Sequence, residues 1–196
     1  KKKALSPAYF EALSQLELVT TERNDGSLEY IKEAKVCFPY KKLQQSVIRS
    51  SVLFFLSEIG CSVLQEEHPN PSLFSFWEES LQWYDRAEYF ANFHLKFLVD
   101  LTLYLGVLPN TSAMELPYFD LEAGVFVAMH NGHSLMSEQD SLLLKFFLSH
   151  SLEEVCLLKI SREERNGLLE QLLNYYLWHL PNFKIPKSWE VLKSVL

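Results

Sequence analysis

Two histidines, His130 and His133, have the types and spacing that most resemble half of a metal site. They form an H-x-x-H pair at the end of the stretch YFDLEAGVFVAMHNGHS (118–134), which alternates apolar and polar residues and turns on a glycine. A structural zinc site needs four ligands, and none of the three cysteines lies near this stretch. We therefore expect no metal here, and a metal-dependent hydrolase using both histidines and nearby carboxylates stays a minor alternative.

Other catalytic arrangements are missing from the sequence. It has no G-x-S-x-G, no glycine-rich phosphate loop and no H-E-x-x-H. His94 falls on an apolar helical stripe, which is typical of a hydrogen-bonded core histidine. Paired glutamates such as Glu163 and Glu164 fall in first helical turns, where carboxylates favour the helix dipole. We predict no catalytic residues, no cofactor and no enzyme activity.

Basic residues interleaved with aromatic ones mark the first fifty positions. Such a pattern offers phosphate contacts and stacking surfaces for unpaired bases, although an ordinary solvated hairpin would produce it too. The aromatic members are Tyr30, Phe38 and Tyr40. The candidate nucleic-acid contacts are Lys1, Lys2, Lys3, Arg23, Lys32, Lys35, Lys41, Lys42 and Arg49.

The charge distribution separates this front from the rest of the chain. Through Ser50 there are nine basic and six acidic residues, which give a net charge of +3. The rest of the chain has a net charge of −10, so the whole chain carries −7. A basic front suits an anionic partner, and an acidic body suits protein partners better than DNA.

The front must be positioned by strands. The segments LELVTT (16–21) and SLEYIKEAKVCF (27–38) flank an Asp25-Gly26 pair, which supplies the positive backbone angles of a tight turn. Pro39 ends the second strand. The sequence predicts a β-hairpin.

The rest of the chain reads as helices. One runs from Lys41 to the HPNP stretch, and Asn70 followed by Pro71 begins the next. A third carries Phe93, Phe97 and Leu101 on one stripe and ends at Gly106, where a left-handed residue belongs. Caps predicted for later helices are Ser137 with Asp140, Ser161 with Glu164, and Ser188.

Bulk properties fit a folded protein with a real core. The chain has 196 residues, 48% of them hydrophobic, and no apolar run reaches the roughly 18 residues of a spanning helix. Three scattered cysteines in apolar runs, Cys37, Cys61 and Cys156, are typical of buried thiols in a reducing cytoplasm. The opening KKK suggests a cut or undefined edge.

Several segments, in order, resemble the RecO family of DNA repair proteins, particularly its Bacteroidetes form. The most specific are L-G-x-x-P (Leu105, Gly106, Pro109), F-D-L-x-x-G (Phe119 to Gly124) and the terminal SWEVLKSVL. The resemblance covers nearly the whole chain. It implies a mainly α protein: a helical domain over 41–196, preceded by the C-terminal part of an OB-fold barrel over 1–40.

The resemblance also implies a function. RecO proteins bind single- and double-stranded DNA, anneal complementary strands, and with RecR help RecA displace the single-strand binding protein SSB. We therefore expect nucleoid association in the cytoplasm, no membrane, and the acidic, apolar-ended tail of SSB as a partner. The cations of this chain that are candidates for binding the SSB tail are Arg162, Arg165, Lys96 and Lys145. The alternative is a helical protein–protein adaptor that does not bind DNA.

Two structural expectations follow from the resemblance. A barrel short of strands exposes unpaired edge groups, so we expect an edge-mediated dimer or a hairpin stabilised by packing on the helices. Most RecO proteins bind zinc through four cysteines in an insert that corresponds to 110–136 here. Because this span lacks cysteine, we expect a metal-free hairpin held by Leu116, Tyr118, Phe126, Val127 and Met129.

Overall fold

Helices form most of the regular secondary structure in the described residues, in agreement with the predicted mainly α class. The computed structural model describes residues 7–21, 30–43, 45–64, 69–129 and 134–196. No helix in these ranges is both long and apolar enough to cross a membrane. After a short 3-10 turn (Pro7–Phe10), the elements are β1 (Gln15–Thr20), β2 (Ile31–Phe38), α1 (Val47–Val63), α2 (Pro71–Arg86), α3 (Phe93–Tyr104), β3 (Tyr118–Asp120), β4 (Val125–Val127), α4 (Glu138–Ser149), α5 (Leu152–Leu157), α6 (Arg162–His179) and α7 (Trp189–Val195).

The two front strands pair as predicted. β1 and β2 are antiparallel, with Leu16 opposite Val36. The turn predicted at Asp25-Gly26 lies outside the described residues. Within those residues the sheet has two strands, so an OB-fold barrel is not confirmed. The hairpin is attached to α2 because Gln15 donates to the carbonyl of Glu78 (3.1 Å), which is one of the two arrangements expected.

The first long helix begins later than predicted. We expected helix from Lys41, but α1 starts at Val47, where the hydroxyl of Ser46 accepts from the N–H of Arg49. Residues 41–43 precede the helix in a turn, and their N–H groups are bound by another helix, as described below. α2 begins as predicted, with the Asn70 side chain accepting from the N–H of Leu73 at 3.0 Å.

The core is centred on α3. Phe93, Leu95, Phe97, Leu98 and Leu101 are all buried, because α3 packs against α2, α4, α5 and α6. A helix with apolar residues around most of its circumference belongs in the interior. It ends as predicted, since Gly106 adopts φ +74°, a backbone angle that side-chain-bearing residues rarely take.

The later helices begin after the predicted N-cap residues, but one of these residues makes no capping hydrogen bond. Ser137 accepts from the N–H of Asp140, and Ser161 forms a capping box with Glu164, as predicted. A second capping box, Ser151 with Glu154, begins the short α5. α7 begins after Ser188, but the Ser188 hydroxyl makes no capping bond; it donates instead to Glu58 on α1 (2.7 Å).

The insert forms the predicted hairpin, and its buried apolar pair consists of Phe126, which was expected, and Phe119, which was not. Phe119 of β3 lies opposite Phe126 of β4, their ring centroids are 4.9 Å apart, and both are buried. Residues directly opposite in an antiparallel pair share a face, so Tyr118 and Val127 lie on the other, half-buried face. Met129 is 69% exposed. The expected set therefore mixed the two faces and omitted Phe119.

Candidate nucleic-acid interface

A buried carboxylate fixes the segment between β2 and α1. Asp85, at the C-terminal end of α2 and only 2% exposed, accepts from three consecutive backbone N–H groups: those of Lys41 (3.0 Å), Lys42 (2.8 Å) and Leu43 (3.0 Å). Burial by itself would raise the pKa of Asp85, but these hydrogen bonds and the nearby Arg49 outweigh it and lower the pKa. The carboxylate is therefore charged at neutral pH.

This anchor leaves the side chains of Lys41 and Lys42 in solvent. Both residues are exposed, and the backbone of Leu43 enters the core beside them. Because α2 carries the anchoring carboxylate, its last residue, Arg86, lies next to Lys42. The ammonium of Lys42 donates to the carbonyl of Arg86 at 3.0 Å.

Arg86 is a functional candidate that the sequence reasoning missed. Its guanidinium carbon lies 5.2 Å from the centroid of the Phe38 ring, and the Phe38 and Tyr40 ring centroids are 5.6 Å apart. Arg86 is separated from Phe38 by 48 positions, and no local pattern indicates the contact. Lys41, Lys42, Arg86 and Phe38 together are called the basic corner below.

Arg49 is a correction to the predicted set of DNA contacts. It is 5% exposed, and its guanidinium donates to the backbone carbonyls of Tyr84 and Ala87 (2.6 Å to Ala87). Its guanidinium carbon also lies 3.9 Å from the centroid of the Phe90 ring. The side chain joins α1 to the end of α2, so it cannot reach a phosphate.

Of the remaining predicted contacts, Lys32 and Lys35 lie on β2. Lys35 lies opposite Glu17 in the hairpin, with a nitrogen–oxygen distance of 3.9 Å in an exposed ion pair. Lys32 is the extra residue where the register shifts between Val19 and Thr20. Lys1, Lys2, Lys3 and Arg23 lie outside the described residues.

Two of the four cations expected at a partner site are buried. The ammonium of Lys96 contacts Asp100 (2.6 Å) and donates to the carbonyl of Phe147 (3.1 Å). The guanidinium of Arg165 donates to the Asn92 side chain (3.2 Å) and to the backbone carbonyl of Leu196 (2.7 Å). Lys96 and Arg165 are therefore occupied by contacts inside the protein, so neither cation is available to a peptide.

The other two cations also make internal contacts. Lys145 donates to the carbonyl of Leu116 (2.6 Å) and lies 5.2 Å from the Phe126 ring centroid, so it holds the insert against α4. Arg162 donates to the carbonyl of Lys193 (3.0 Å) but remains exposed.

The core histidine differs from its prediction in one respect. His94 is buried on α3, but its Nδ1 has no hydrogen-bond partner among the described residues. Burial, and secondarily the charge of Arg165, lower the pKa of His94 to about 3. The imidazole is therefore neutral and packs as an apolar ring.

The insert is held to the helices by hydrogen bonds. Ser141 of α4 accepts from the N–H of Phe119 (2.9 Å), and the Nε2 of His179 on α6 lies 2.9 Å from the carbonyl of Leu121. No group of three or more metal-ligating side chains occurs in the described part of the chain. His130 and His133 lie outside that part, so the metal-free insert stays a prediction.

Comparison with known proteins identifies the family of this chain. The family model "Recombination protein O C terminal" matches residues 44–189. DNA repair protein RecO of Flavobacterium psychrophilum is 38% identical over this whole chain and 82% of its own length. The proteins of the same name from Flavobacterium johnsoniae and Phocaeicola vulgatus are 36% and 34% identical over the whole chain, covering 81% and 82% of their lengths. No solved structure matches. The chain therefore belongs to the RecO family, whose role lies in DNA repair and recombination.

Proposed function

We propose that this protein is a non-enzymatic recombination mediator. It binds single- and double-stranded DNA, anneals complementary strands, and with RecR helps load RecA onto DNA coated by SSB. Membership of the RecO family supports the repair role. The observation that carries DNA binding is the basic corner, where Asp85 brings Lys41 and Lys42 beside Arg86.

The chemistry of the basic corner suits a nucleic-acid backbone. Three cations at one junction neutralise phosphates and release counterions, a contribution that does not depend on base sequence. The Phe38 ring beneath Arg86 adds an aromatic surface of the kind on which unpaired bases stack. Neutralising phosphates on two strands at once lowers their mutual repulsion, which is what annealing requires.

We propose that residues 1–40 are the C-terminal part of an OB-fold and that 41–196 form the helical domain. An apolar groove of about 510 Å³ between β1 and α2 supports this division; Leu16, Leu18, Leu73 and Phe74 line it. Phe74 is 69% exposed there. A barrel strand beside β1 would cover these side chains.

Partner binding is the less localised part of the proposal. RecR and the acidic tail of SSB are the partners, and the protein acts in the cytoplasm at the nucleoid. Of the four cations expected to receive the tail, Arg162 remains the candidate because it is exposed.

The experiment is a salt series of DNA binding. A fluorescently labelled oligonucleotide, single-stranded or duplex, is titrated with the protein at several salt concentrations and followed by anisotropy. We expect binding that weakens steeply as salt rises. Absence of binding even at low salt would contradict the proposal and favour the helical adaptor.

A further inference from the structure

A cavity of about 560 Å³ lies between the C-terminal end of α2 and the short helix α5. Trp83, Tyr89 and Leu157 are apolar residues of its wall. Tyr89 is 65% exposed, so its ring is available for a stacked ligand. Trp83 is fixed, because its ring stacks on Phe93 with centroids 5.9 Å apart.

The cavity shares one residue, Arg86, with the basic corner. Arg86 lines the cavity and also lies over Phe38, and its carbonyl accepts from Lys42. A strand whose phosphates contact Lys41 and Lys42 therefore passes directly beside the opening.

Charge decides what can enter. Glu79, Glu88 and Glu153 line the cavity, against the single guanidinium of Arg86. Three carboxylates repel a phosphate or an acidic peptide, so the occupant carries no negative charge. Burial raises the pKa of Cys156 to about 12, with Glu153 adding to the effect, so this lining thiol is neutral as well.

The carboxylates also determine which uncharged aromatic ring can bind in the cavity. The Nε1 of Trp83 donates to Glu153 at 2.9 Å, which holds that carboxylate at the wall. Ionised carboxylates only accept hydrogen bonds, and they pair with the exocyclic amino group of a base such as cytosine. Thymine has no exocyclic amino group; its one donor on that edge, the ring N3–H, lies between two carbonyl oxygens that the carboxylates would repel.

We propose that this cavity receives one unpaired, amino-bearing nucleobase from a single strand whose phosphates lie on the basic corner. The inference rests on the proposed function, because it needs DNA at that corner. It would give the protein a preference for single strands and for cytosine over thymine.

The test compares labelled oligo-dC and oligo-dT of equal length by anisotropy at one low salt concentration. We expect dC to bind roughly fivefold more tightly than dT, and Glu153→Gln to reduce that ratio while keeping an acceptor for Trp83. Tyr89→Ala should weaken dC binding about fivefold or more. Phe54→Ala, which removes an exposed ring from α1, is the matched control and should change nothing.

Equal binding of dC and dT, unchanged by Tyr89→Ala, would overturn the inference while leaving DNA binding at the basic corner intact. Loss of all DNA binding would instead contradict the proposed function as well as this inference. As a competitor we would use a short peptide of aspartates ending in leucine and phenylalanine. Displacement of dC by this peptide, dependent on Tyr89, would assign the cavity to a peptide and also overturn the inference.

Discussion

The carboxylate of Asp85 accepts a 2.8 Å hydrogen bond from the backbone N–H of Lys42, which lies 43 positions earlier in the chain. With the bonds from Lys41 and Leu43, this contact joins the end of α2 to the segment that follows β2. The anchor gives the basic corner its position.

Removing this anchor should destabilise the fold. Asp85→Ala leaves three N–H groups without their acceptor and removes the carboxylate facing Arg49, and we expect a loss of about 3 kcal/mol or more in unfolding free energy. Urea denaturation measures it. Glu79→Ala, an exposed carboxylate on the same helix, should stay within about 0.5 kcal/mol. Equal effects from both substitutions would show that the anchor does not stabilise the fold.

The same carboxylate should make stability depend on acid. The pKa of Asp85 is lower in the folded protein than the ordinary value of about 3.9, so the folded state holds its proton less tightly. The stabilisation that ionised Asp85 provides is fully present above the pKa of the unfolded state. It is lost as the pH falls through the pKa of the folded state. The stability advantage of the wild type over Asp85→Asn should therefore be present at pH 6 and shrink towards pH 3. An advantage that is constant across this range would contradict the assignment.

Arg49 should affect stability rather than DNA affinity. Lysine cannot bridge the carbonyls of Tyr84 and Ala87 as the guanidinium does, so Arg49→Lys should cost roughly 1–3 kcal/mol. At a temperature where the variant remains folded, its oligonucleotide affinity should equal that of the wild type. A weaker affinity with unchanged thermal stability would restore Arg49 to the DNA surface.

The insert should depend on apolar packing and not on metal. Phe119→Ala removes a buried ring and should cost about 3–4 kcal/mol, whereas Met129→Ala should have little effect. A chelator should leave the melting temperature unchanged. Stoichiometric zinc in the purified protein, lost on replacing His130 and His133 with alanine, would contradict this prediction.

Local signals predicted several helix boundaries, although not the start of α1. The caps at Asn70 and Ser161 and the left-handed residue Gly106 each depend on neighbours within a few positions. Interactions between residues only a few positions apart can be predicted from a single sequence. Ser188 shows the limit of this reasoning, because its hydroxyl binds Glu58, 130 positions away, instead of capping α7.

The candidate site depended on contacts that no local pattern reveals. Arg49 and Lys42 look alike in sequence, yet one is buried against Phe90 and the other is exposed, because Asp85 and the end of α2 decide their surroundings. Arg86 was missed for the same reason. Its neighbours Phe38 and Lys42 come from a different part of the chain.

The most direct test of DNA binding at the basic corner is the salt dependence of oligonucleotide binding by single variants. Lys42→Gln and Arg86→Gln should each weaken binding and reduce the slope of log affinity against log salt by about one, since each removes one phosphate contact. Lys184→Gln is the control: this exposed lysine lies beside Ser62 at the far end of α1 and should change neither quantity. If all three variants keep the wild-type affinity and slope, DNA does not bind at the basic corner.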